Sequence, residues 1–139
     1  MGRVLAIDYG KKRVGLAVTD PLKLFAQGLT TVSSDQVYVF LKSYAEKEDI
    51  ETFVVGWPVN LNNTPAESMQ YVEPFVNGLK KRFKTIPVDL VDERFTSVLA
   101  QKAMLMGGLK KKQRQNKALV DEISAQIILQ SWLDSKTNK

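Results

Sequence analysis

The chain predicts an α/β fold, one mixed five-stranded sheet flanked by helices, and three observations carry that prediction. Two aliphatic runs, residues 4–8 and 14–19, flank the polar turn Gly10-Lys11-Lys12-Arg13, the pattern of a β-hairpin. Further on, apolar runs at 52–57 and 87–92 alternate with segments whose apolar residues recur at helical spacing. Finally, 139 residues that are 44% hydrophobic can bury a sizeable core without disulfides, so 1–139 is taken as a single domain.

In order, the hairpin's second strand ends at Asp20-Pro21, and a third strand is expected over 27–32. Ser33 and Gln36 stand in capping-box spacing, predicting a helix to about Lys47 with Val37, Phe40, Leu41 and Tyr44 on one face. Residues 52–57 are continuously apolar and closed by Pro58, as expected of a strand buried on both faces. Thr64-Pro65-Ala66-Glu67 marks the next helix start, with Thr64 as cap and proline at the first helical position. That helix should run to about Phe83, burying Met69, Val72, Phe75, Val76, Leu79 and Phe83. Residues 87–92 read as the last strand, ending in acids. A helix over 96–106 is stopped by Gly107-Gly108, and a final helix is expected over 116–133, followed by a frayed polar tail.

Composition narrows the chemistry. There is no cysteine and no histidine, which excludes disulfides, thiolate metal sites, cysteine nucleophiles, His-based triads and His-ligated zinc. The absence of cysteine fits a reducing cytoplasm. No signal peptide, lipidation motif or apolar run of membrane-spanning length is present, so no membrane partner is expected. The net charge is +5, and Lys110, Lys111, Lys112, Arg114 and Lys117 supply five positive charges with no acid among residues 107–117. Basicity concentrated in this way suits a polyanionic partner such as nucleic acid.

The candidate chemistry is carboxylate chemistry. Asp8 ends the first strand beside Gly10, with Lys11, Lys12 and Arg13 next to it. Asp92 and Glu93 end the last strand, and Asp121 heads a stripe of Ser124, Ala125, Ile128, Leu129 and Trp132 on the final helix. Acids from distant segments can converge on Mg²⁺ or Mn²⁺, hard cations that prefer oxygen ligands and activate water without histidine. Taken singly, each acid also has a plain reading, as a turn acid, a partner of Arg94 or part of a helix start.

Four segments carry a family resemblance: Ala6-Ile7-Asp8-Tyr9-Gly10 with Arg13-Val14-Gly15-Leu16-Ala17; Val55-Gly56-Trp57-Pro58; Val91-Asp92-Glu93-Arg94-Phe95-Thr96-Ser97; and Asp121-Glu122-Ile123-Ser124-Ala125 with Ile127-Ile128-Leu129. Together they resemble the YqgF (RuvX) family, Holliday-junction-resolvase-like proteins regarded as nucleases of pre-16S ribosomal RNA. The family usually has leucine at Trp57 and glycine near Asn63, departures that lie outside the acids.

The resemblance implies a ribonuclease H-like fold and a metal-dependent, two-metal nuclease with Asp8, Glu93 and Asp121 as catalytic residues and ligands of Mg²⁺ or Mn²⁺. Glu93 rather than Asp92 is the expected ligand. Arg13 and Arg94 are expected to hold phosphate, alongside Lys11, Lys12 and the basic segment. The expected partner is pre-ribosomal RNA or branched DNA, with ribosomal particles as its setting in the cytoplasm and a monomer or homodimer as its state. Two other readings compete. An actin-like or sugar-kinase phosphate hairpin needs a second such domain, for which the chain has no room. A nucleic-acid-binding assembly protein without turnover shares every motif.

Overall fold

A computed structural model describes residues 2–59, 67–93 and 116–137. The strands are β1 (Arg3–Tyr9), β2 (Arg13–Thr19), β3 (Ala26–Ser33), β4 (Ile50–Trp57) and β5 (Val88–Asp92); the helices are α1 (Val37–Lys47), α2 (Met69–Arg82) and α3 (Lys117–Thr137). The sheet order is β3-β2-β1-β4-β5. β1 pairs antiparallel with β2, and β2 with β3, whereas β1–β4 and β4–β5 are parallel. The mixed five-stranded sheet expected from sequence is therefore present, with β1 at its centre.

Strand alternation sends odd and even residues of β1 to opposite layers. Leu5 and Ile7 join Val14, Leu16, Phe53, Val55 and the apolar faces of α1 and α2 in one cluster. Val4 and Ala6 join Ala17, Val54, Ala125, Ile128 and Leu129 in the other, under α3. The sheet's share of the second layer is alanine and valine, which lets α3 lie close to it. Phe53, Leu5 and Ile7 are fully buried, each contributing roughly 1.5–3 kcal/mol relative to exposure. Tyr9 stacks on Phe75 at 4.3 Å between ring centroids, fixing the end of β1 on the α1/α2 side.

Several local expectations change. The Ser33 cap does not form: α1 is entered through a 3-10 turn, Ser34–Gln36, with no side-chain cap bond at Ser33. The neighbouring Ser34 hydroxyl donates to the Lys11 carbonyl at 2.7 Å, and its N–H donates to the Lys12 carbonyl at 3.0 Å. This serine pair's local bonding is thus directed at the β1–β2 turn. The Thr64 cap and the helix over 96–106 lie outside the described residues.

Pro74 lies inside α2, where sequence reading gave it no role, but on the exposed side. There the carbonyl left without its N–H partner can be met by water. α3 is capped by Asn116, whose Oδ1 accepts from the Leu119 N–H at 3.2 Å. The helix continues past Leu133 instead of fraying. Gln130 donates to Asp134 at 3.0 Å, and the Lys136 ammonium sits 5.3 Å from the Trp132 ring centroid, so the polar last turn bonds to itself. Among the described residues, no helix is long and apolar enough to cross a membrane.

Candidate active site

Asp8 lies near the carboxyl end of β1 and, by alternation after Val4 and Ala6, faces α3. Its partner across β2 is Gly15, and on β4 Gly56 follows directly after the Ile7–Val55 pair. A Cβ on Gly15 would collide with the Asp121 carbonyl, and one on Gly56 would collide with the Glu93 carboxylate and lie 2.8 Å from Ile128 Cδ1. The two glycines thus leave a trough on either side of Asp8. The Asp121 turn of α3 occupies one half and the Glu93 side chain the other.

Glu93 reaches that trough because the β5 ladder extends one residue past the strand. Its N–H donates to the Trp57 carbonyl at 3.0 Å. Alternation then places it on the same face as Val91, which packs under α3, and Asp89, which accepts from Trp132 Nε1 at 2.8 Å. Asp92 falls on the opposite face and is exposed. Of these neighbouring acids, the structure brings Glu93 to Asp8.

The Asp8 and Glu93 side chains are hydrogen-bonded to each other. Two carboxylates make that bond only if one is protonated, and the environments decide which. Burial pushes Asp8 up to about 6, with the Glu93 bond opposing and repulsion from Asp121 adding to the rise. Burial, then repulsion by Asp8 and its hydrogen bond, pushes Glu93 up to about 8, with a further contribution from Asp92. Both carboxyls are raised, so near neutral pH the pair shares one proton and carries one charge between its two members.

Asp121 is near enough to act on Asp8 by charge, but its Oδ2 accepts from Arg13 Nε at 2.7 Å. As the side chains stand, no group of three or more acids among the described residues is disposed to hold a metal ion. Arg13, expected on phosphate, pairs here with the Asp121 carboxylate. Lys11 lies 5.6 Å from the Tyr71 ring centroid, toward α2, while Lys12 and Lys117 are exposed. Arg94, Lys110, Lys111, Lys112 and Arg114 lie outside the described residues.

Sequence reasoning missed two features: the Arg13–Asp121 pair, and the flanking role of Gly15 and Gly56. The glycines carried a signal, because each interrupts an otherwise aliphatic strand run where a missing side chain marks a close approach. The ion pair carried none, since its members are 108 positions apart.

The sequence profile of the RuvX family, described as Holliday junction resolvase, matches residues 2–135. A protein of Phocaeicola vulgatus named "Putative pre-16S rRNA nuclease" is 62% identical over 136 residues, covering 98% of each chain. One of the same name from Bacteroides thetaiotaomicron is 58% identical, covering 98% of this chain and 99% of the relative. Among solved structures, T. thermophilus RuvC in complex with Holliday junction substrate superposes with a TM-score of 0.60 at 15% identity, over 99% of this chain and 96% of that one. That likeness establishes a ribonuclease H-like fold, and with residues 2–135 matched by the profile, the chain belongs to the RuvX family.

Proposed function

We propose that this protein is a metal-dependent nuclease, acting as one domain over 1–139, that cuts phosphodiester bonds in structured nucleic acid. Its substrate on this reading is pre-16S ribosomal RNA at the 5′ end, in the cytoplasm and in the setting of ribosomal particles. The observation that carries the reading is the Asp8–Glu93 pair at the carboxyl ends of parallel strands, with Asp121 presented to Asp8 by α3. Crevices at such strand ends are where open α/β sheets bind their ligands. The names of the relatives supply the RNA substrate.

The donor set fits Mg²⁺ or Mn²⁺: carboxylate oxygens only, with the Asp8–Glu93 pair crowded enough that a proton now stands between them. Asp8 and Glu93 would hold the metal after giving up their shared proton, and Asp121 would join them by turning from Arg13. When bound, the metal supplies positive charge against phosphate oxygens and makes nearby water more acidic. We extend the reading to the two-ion type, with these three acids as the whole ligand set from the protein. The protein's own part is to place the acids, to release the proton of the Asp8–Glu93 pair to solvent, and to hold phosphates with Arg13 and the basic segment.

A second reading, cleavage of branched DNA, is favoured by the family's description as Holliday junction resolvase. The test is incubation of pure protein with a 5′-extended 16S precursor RNA and with a four-way DNA junction, with Mg²⁺, Mn²⁺ or chelator. RNA cleavage that needs metal and is lost in Asp8→Asn is expected. Junction cleavage alone would transfer the assignment to DNA. No cleavage of either, with binding retained, would leave the assembly-protein reading.

A further inference from the structure

We infer that Arg13 is a gate on Asp121: in the cation-free protein each withholds the other, the acid from the metal centre and the guanidinium from nucleic-acid phosphate. The inference rests on the nuclease reading above and adds a coupling between two of its residues.

The backbones of both are fixed. Arg13 opens β2, its carbonyl accepts from the Gly10 N–H at 3.0 Å, and it pairs with Ser33 of β3. Asp121 is seated by its own main chain against Gly15. What can move is the two side chains, which are 39% and 23% exposed and so can rotate into the groove. Their 2.7 Å contact is a charge-assisted hydrogen bond, yet part-exposed pairs of this kind bias a population by only about a few-fold. Such a contact is enough to set the resting state and weak enough for a divalent cation to break.

The chemistry of release runs in one direction. A cation drawn to Asp8 and Glu93 attracts Asp121, and Asp121 leaves Arg13 without its acid beside the groove. A guanidinium there presents a planar fork of donors that matches a phosphate bidentately. Cation and nucleic acid should therefore reinforce each other through this exchange. Before the cation arrives, Arg13 should contribute little to nucleic-acid binding.

The experiment is a double-mutant cycle in chelator, which removes metal from the question. A fluorescent RNA stem-loop with a single-stranded 5′ extension is titrated at fixed salt with the native protein, R13Q, D121N and R13Q/D121N. Thermal melts confirm that each variant is folded. R13Q should weaken binding by about twofold or less in the native background and by about tenfold or more in D121N, where the guanidinium is free to reach phosphate. Should D121N fail to fold, the native protein and R13Q are compared with and without Ca²⁺, and the R13Q penalty should grow when the ion is present.

An equal R13Q penalty in both backgrounds, or with and without Ca²⁺, overturns the gate while leaving the nuclease reading standing. Absence of RNA binding by all the proteins overturns both.

Discussion

Replacing Asp8 by Asn should inactivate the protein and, in metal-free buffer, stabilise it. Asparagine keeps the shape and can still accept the proton that Glu93 donates, while removing the buried charge. Asp8 moves from an ordinary value of 3.8 to about 6, which corresponds to a ceiling of about 3 kcal/mol at roughly 1.4 kcal/mol per tenfold change in proton affinity. Asp8 is only partly buried by accessible surface, so screening leaves about 1–2 kcal/mol. For a chain of 139 residues this is a rise in Tm of about 3–6 °C.

The sign follows from linkage. Both acids are raised, so the folded chain keeps protons that the unfolded chain has already lost. Their stabilisation is fully present below about pH 4 and is lost as pH rises through about 6 for Asp8 and about 8 for Glu93. Melts in chelator from pH 5 to 9 should show the native protein losing stability across that window. The Asp8→Asn slope should be shallower, and Mg²⁺ should raise the native Tm at pH 8 more than that of the variant. A variant less stable than native at pH 8 in chelator, or one with an unchanged pH slope, would refute the account of a charge held against its environment.

Other predictions follow from the same geometry. Glu93→Gln should remove cleavage and flatten the pH dependence of metal-free stability between pH 6 and 8, whereas Asp92→Asn, on the exposed face, should keep cleavage and change stability by no more than about 0.5 kcal/mol. Equal losses of cleavage in both variants would count against assigning the role to Glu93. Gly15→Ala should cost about 1–3 kcal/mol in chemical denaturation, because its methyl meets main chain of α3 that has no rotamer to yield. Neutralising Lys110, Lys111, Lys112 and Arg114 should lower the salt dependence of nucleic-acid binding by roughly 0.7–0.9 of slope per lost phosphate contact; an unchanged slope would free that segment from any contact role.

What the sequence revealed and what it hid divide along physical lines. Strand alternation and helical period are local, so the hairpin, the buried Phe53 strand and the apolar stripe of α3 were legible from residue spacing. Asp92 against Glu93 was not decided by pattern, because it depended on where β5 stops; the Glu93 N–H bond to Trp57 carries the ladder one residue further. Ser33 does not cap α1 because it is still the last residue of β3, paired with Arg13, and a 3-10 turn whose Ser34 bonds the turn at Lys11 separates it from the helix. The Arg13–Asp121 contact joins the second strand to the last helix, and no spacing rule reaches across that distance.

The seating of α3 has a consequence for the pace of events at the site. Gly15 lies against the main chain of Asp121 and Gly28 against the side chain of Glu122, while Ala17 and Ala125 share the layer between. Where the Asp121 turn meets Gly15, main chain lies directly against main chain, so that turn has no side chain to yield and does not slide to bring its acid nearer. Among the described residues, rearrangement falls to the torsions of Asp121, Arg13 and Glu93. Side chains at partly exposed positions change rotamer in picoseconds to nanoseconds, whereas shifts of packed helices take microseconds to milliseconds. Capture of a cation by these acids should therefore proceed in a single fast phase in stopped-flow mixing, limited by arrival of the ion and departure of the proton.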